Sequence, residues 1–149
     1  MAYSFAGFFG PKASIELLTY QVPGAAVVAL GQQLFLVPLV APLLARMNES
    51  NALPVDGFSQ LTASMEEALR VASEAGPIAY AEAEGPSGSG HRAGILWEGG
   101  ERIRTIRFGA TALDTLLRDL GIQKGEGLTE SETLGFHRRR FTDDWLGNE

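Results

Sequence analysis

Between Ile78 and Phe108, polar and apolar residues alternate in three short runs parted by turn signals, and this constrains the fold more than any other feature. Ile78–Glu84, a Gly/Pro/Ser run at Gly85–Gly90, His91–Glu98, Gly99-Gly100 and Glu101–Phe108 predict a three-stranded antiparallel meander. A side-chain period of two puts Ala79, Ala81 and Ala83 on one surface and Tyr80, Glu82 and Glu84 on the other. The alanine row lets a helix approach closely, while the acidic row is expected to face water, arginines or a partner. Ala93, Ile95 and Trp97 share a face expected to be core.

The rest of the chain supplies a sheet extension and helices. Ala2–Phe9 reads as a strand ended by Gly10-Pro11, followed by a helix from Pro11 to about Tyr20. Ala25–Leu30 and Gln33–Pro38 form a hairpin around Gly31-Gln32, where glycine at the first central position suits a type II′ turn. A short helix is expected over Val40–Met47, then a polar loop over Asn48–Gly57. Ser64 with Glu67 reads as a capping box opening a helix whose stripe is Met65, Leu69 and Ala72, stopped by Gly76-Pro77. Thr111 and Asp114 open another helix, with Leu113, Leu116, Leu117 and Leu120 as its buried stripe and Gly121 as its end. Residues 122–135 read as a surface loop. The fold class is therefore α+β: one domain over 1–149, an antiparallel sheet (N-terminal hairpin plus three-stranded meander) packed against two to four helices. The C-terminal segment 136–149 is expected to dock on the body through Phe136, Phe141 and Trp145.

A chain of 149 residues buries about 68–70% of its unfolded surface around one core. The absence of cysteine excludes disulfides, thiolate metal sites and Cys nucleophiles, and fits a cytoplasmic protein. A net charge of −6 argues against nucleic acid as partner, because phosphates are held by Lys and Arg; it suits a basic protein instead. Basic groups concentrate in residues 90–149, interleaved with acids as in surface pairing. Val22–Ala45 runs without charge, but Pro23, Pro38, Pro42 and Gly31-Gln32-Gln33 interrupt it, so buried strands are expected and no membrane span. No basic region of signal-peptide type precedes it.

Each candidate for chemistry has a plainer explanation. A glycine-rich loop cradles phosphate when a helix with a Lys follows; here a strand follows Gly85–Gly90, so it reads as a flexible hairpin loop. Glu82 and Glu84 stand about 6–7 Å apart along their strand, a spacing open to a carboxylate pair or a hard cation. Arg92, Arg102, Arg104 and Arg107 on the neighbouring strands offer ordinary cross-strand pairs worth about 0.2–1 kcal/mol each, and that reading is preferred. His91 and His137 belong to no HExxH, GxSxG or two-histidine cluster, so no catalytic residue, metal site or cofactor is assigned. Arg138, Arg139 and Arg140 follow His137. Such a triplet can clamp a phosphate or carboxylate, but Asp143 and Asp144 offset it within the same segment.

The phrases GPIAYAEAE (76–84), AGILW (93–97), ALDTLLRDLGI (112–122) and LGFHRRRFTDDWL (134–146) together resemble a family of small, uncharacterised bacterial cytoplasmic proteins, some of them similar to immunity proteins of polymorphic toxin systems. The likeness covers about residues 58–146 and extends loosely to VALGQQLFLVPL (28–39). It carries structural motifs and no functional residue. The loop GPSGSG is less bulky than the family's.

The resemblance implies, and the lack of a catalytic set with net acidity agrees with, a non-enzymatic protein-binding (immunity-type) protein that neutralises a basic toxin by occlusion. Its expected partner-binding residues are Glu82, Glu84, His91 and Arg92, with His137, Arg138, Arg139, Arg140, Asp143 and Asp144. Two other readings stay open. One is a structural interaction module, with Val22–Ala45 forming a homodimer face. The other is a small-molecule or nucleotide-binding enzyme using the Arg-rich meander, in which Glu82, His137 and Arg102 or Arg104 converge on a pocket.

Overall fold

The computed structural model describes residues 2–48, 53–55, 57–86, 92–107, 109, 111–136, 139 and 141–146. The strands are β1 (Ala2–Pro11), β2 (Val28–Gly31), β3 (Leu34–Pro38), β4 (Ile78–Pro86), β5 (Arg92–Glu98) and β6 (Glu101–Ile106). They form one sheet in the order β2-β3-β1-β4-β5-β6 with every described pairing antiparallel. The helices are α1 (Lys12–Gln21), α2 (Ala41–Met47), α3 (Ala63–Ala72), α4 (Ala112–Asp119) and α5 (Glu130–Thr133), and a 3-10 turn spans Thr142–Trp145. The α+β architecture is thus as the alternation predicts. Residues 122–135 differ from the expected loop, because Thr129 and Glu132 form a capping box that nucleates the short α5.

Both faces of the sheet are covered. On one, Ala6, Phe8, Val37, Tyr80, Ala93, Ile95 and Trp97 pack beneath α1, α2 and α3. On the other, Phe5, Phe9, Leu36, Ala79, Ala81 and Leu96 pack with Leu116 and Leu117 of α4, Ile122, Phe136 and Trp145. The alanine row does admit a helix. Gly94 extends the same low surface on β5: a Cβ there would lie 2.4 Å from a Leu116 methyl and 2.7 Å from the Tyr80 carbonyl oxygen.

Two local predictions are corrected. The β2–β3 turn is centred on Gln32 and Gln33, at φ 53° and 66°. Positive φ at both positions is the mark of type I′, whose twist matches that of the flanking strands. The cap of α3 is Thr62, whose hydroxyl accepts from Met65 N at 3.3 Å, and Ser64 already lies inside the helix. Helix α3 also holds the β5–β6 hairpin. Its Ser73 takes the Gly99 and Gly100 N–H groups on its carbonyl and hydroxyl, and Arg70 donates to the Gly100 carbonyl.

Candidate functional site

The acidic row does not face outward. Glu82 is 1% exposed, because Tyr80, Glu82 and Glu84 point to the face that α3 and its preceding loop cover. Its carboxylate accepts from Ser59 N at 2.6 Å, Gln60 N at 3.1 Å and the Tyr80 hydroxyl at 2.6 Å, which fastens that loop to β4. Burial, with the nearby Glu82 charge adding to it, pushes the Tyr80 phenol well above its ordinary value and keeps it a donor. Glu84 is half-buried and accepts from the Gln60 side chain at 3.3 Å. The expectation that Glu82 forms a partner surface is overturned: two backbone N–H groups needed an acceptor inside the protein.

Two of the neighbouring arginines, Arg102 and Arg104, pair with other acids. In β6, Arg104 sits opposite Leu96 and Arg102 opposite Trp97, so Ile103 is an extra, bulged residue. The bulge turns two arginines of equal parity onto opposite faces. Arg102 meets Glu66 of α3 through a two-pronged contact, Nε to Oε2 at 2.6 Å and Nη2 to Oε1 at 2.7 Å. The indole of Trp97 donates to the same carboxylate at 3.0 Å. The Arg102 bond holds the buried Glu66 below its ordinary value of 4.5 against the opposing effect of burial. Arg104 pairs with Asp119 of α4 on the other face. Glu82 lies opposite Ala93 and Arg102 opposite Trp97, so they stand about 13 Å apart along β5, and the enzyme reading loses that pair.

Of the remaining predicted residues, His91, His137, Arg138 and Arg140 lie outside the described residues, as do residues 87–90 of the glycine-rich loop. Arg92 begins β5 and is half-buried. Asp143 and Asp144 are exposed in the 3-10 turn, where Asp144 accepts from Phe141 N at 3.0 Å. Among the described residues no three His, Asp or Glu side chains gather as a cation site.

The structure instead brings Arg139 and Trp145 to the edge of the sheet. Thr142 ties the C-terminal segment to β1 beyond the end of β3, accepting from Ala6 N at 3.1 Å and donating to the Ser4 carbonyl. Phe136 and Trp145 then pack with ring centres 4.7 Å apart and planes tilted by 52° inside the α4-side core. Phe141 does not join them; it is 47% exposed. The Arg139 guanidinium lies 4.9 Å from the centre of the Trp145 ring. Strand β2 runs beside them, pinned at its turn by Gln32, whose amide donates to the Gln123 carbonyl and accepts its N–H.

Two adjoining hollows result. One, of about 500 Å³, is lined by Ala26, Val27, Val28, Ala29, Arg139, Trp145 and Leu146. The other, of about 400 Å³, shares Ala29, Arg139 and Trp145 with it and adds Leu30, Leu134 and Gly135. Trp145 is 2% exposed, and its buried indole N–H finds no hydrogen-bond acceptor among the described residues. Such a donor costs about 1–3 kcal/mol in lost hydration.

The sheet's two edges are unlike. The β6 edge is bulged at Ile103 and carries Glu101, Arg102 and Arg104, which is how sheets discourage further pairing. The β2 edge follows an uncharged run, Ala25–Leu30, with Val27 48% exposed and Ala29 exposed. Among the described residues no strand pairs with its outer side. Its irregularity, at Leu30, falls next to the turn and leaves Val28 and Ala29 in regular register. No known family model, curated protein or solved structure matches this chain.

Proposed function

We propose that this chain is a non-enzymatic protein-binding protein of the immunity type, acting in the cytoplasm, which captures a toxin by letting one of its strands join the sheet at β2. The observation that carries this reading is the uncharged β2 edge, bordered by a groove, on a sheet whose other edge is guarded by charge and a bulge. Strand addition gives affinity through main-chain hydrogen bonds and specificity through pockets beside alternate side chains. The net charge of −6 favours a basic partner by steering the encounter.

The test is calorimetric titration against the product of the gene adjacent to the one encoding this chain. Val27→Lys with Ala29→Lys places edge charges at two exposed positions and should leave the fold intact. Binding by the wild type and at least a tenfold loss in the double variant are expected. No association at high micromolar concentration, or equal binding by the variant, overturns the reading.

A further inference from the structure

We infer that β2 is a latched flap: the Gln32 side chain, clasped to the backbone of Gln123, controls whether β2 lies on the sheet or opens away from β3. The inference goes beyond strand capture and stands whether or not a partner joins β2.

The turn carries the first argument. Gly31, Gln32 and Gln33 all have positive φ, at 103°, 53° and 66°. Glycine adopts that region freely and asparagine tolerates it, whereas glutamine has neither advantage. A type I′ turn normally takes Asn-Gly at its two central positions. Backbone of this kind persists where surrounding contacts over-determine it. For Gln32 those contacts are its own side-chain bonds. Nε2 donates to the Gln123 carbonyl at 2.9 Å, and Oε1 accepts the Gln123 N–H at 2.8 Å. The amide thus pairs with one residue's main chain as a neighbouring strand would, across 91 positions of sequence.

The two ends of the clasp differ in how firmly they are held. Beside Gln123, the buried Ile122 donates its N–H to the Leu117 carbonyl at 3.0 Å and closes the end of α4. Gln123 is the fixed end. β2 has only four residues, pairs with β3 alone among the described residues, and loses register at Leu30. Val28 and Leu30, its contacts with the α4-side core, are half-buried, and Ala29 between them is exposed. An element with few buried apolar contacts and exposed backbone bonds opens locally at low free energy. Behind it β3 holds the buried Leu34 and Leu36, which become edge residues when β2 opens. The latch therefore keeps an apolar strip covered as well as the outer edge in place.

The test is amide hydrogen exchange of the full chain, read residue by residue by NMR, in wild type, Gln32→Gly and Gln33→Gly. Both variants relieve a positive φ and add the same backbone freedom to the unfolded chain. They differ in the clasp, because among the described residues the exposed Gln33 side chain makes no hydrogen bond. Loss of two neutral bonds should speed exchange of the protected β2 amides at least about fivefold in Gln32→Gly relative to Gln33→Gly. The β5 amides should exchange alike in the two. Equal or slower β2 exchange in Gln32→Gly means that the clasp holds nothing and overturns the inference. So does an equal acceleration of β2 and β5, which makes the loss global rather than the opening of a flap. β2 amides already unprotected in wild type overturn it too, since the strand would then be open with the clasp in place.

Discussion

Replacing Glu82 by Gln keeps the side chain's shape and removes only its charge, so it isolates what the buried carboxylate does. Among the described residues, Ser59 N, Gln60 N and the Tyr80 hydroxyl donate to it in the folded protein. A bond to a charged group contributes about 1.5–3 kcal/mol against about 0.5–1.5 for a neutral one, so neutralisation costs about 3 kcal/mol over three bonds. The new amide NH₂ also confronts a donor, and one unsatisfied buried donor adds about 1–3 kcal/mol. A loss of about 4–6 kcal/mol follows, a large part of the ~5–15 kcal/mol that holds a domain folded. For a chain of this size the melting temperature should drop by at least about 8 °C. Glu84→Gln is the internal control. Its side-chain bond to Gln60, at 3.3 Å on a half-buried residue, predicts less than about 1 kcal/mol. Urea titration followed by tryptophan fluorescence measures both. If the two variants differ from each other by less than about 1 kcal/mol, the anchoring role of Glu82 is refuted. A Glu82→Gln protein with unchanged stability and impaired partner binding would return this residue to the surface role that the alternation suggested.

Two further outcomes follow from the packing. Glu66 is held below its ordinary value in the folded protein, so on acidification the unfolded chain takes up this proton first. Its contribution is complete above pH ~4.5 and is lost as pH falls through the lower folded value; urea midpoints between about pH 6 and pH 3 should therefore decline less steeply in Glu66→Gln. An equally steep decline would show that other groups control acid stability. Gly94→Ala should destabilise by about 1–3 kcal/mol, since the added methyl meets the Tyr80 carbonyl oxygen as well as Leu116. A gain in stability, the usual effect of Gly→Ala where the methyl fits, would refute the close approach of α4.

The period-two alternation of Ile78–Glu84 and the stripe of Leu116 and Leu117 were enough to place β4 and α4, because local geometry alone decides which side chains share a face. They also marked the alanine row as a surface that lets a helix approach closely. Alternation says nothing, however, about whether the opposite face is wet. Glu82 was assigned to a surface because carboxylates are usually solvated, yet the loop before α3 brings two unpaired N–H groups onto it from residues more than twenty positions away. The bulge at Ile103 is equally silent in the sequence. Equal parity puts Arg102 and Arg104 together, and only pairing with β5 reveals the extra residue that separates them.

The candidate site divides along the same line. The charged, aromatic C-terminal segment could be read as a docked element, and Arg139 within it as a potential clamp. That it borders β2, and that β2 is an edge at all, depends on strand order. The sequence by itself determined most of the elements, the faces of β4 and α4 and the absence of thiol chemistry, since each follows from neighbours along the chain. Which acid is buried, which edge stays open and which indole N–H goes unpaired among the described residues were decided only by the tertiary structure, because hydrogen bonds and solvent exclusion are set by groups far apart in sequence.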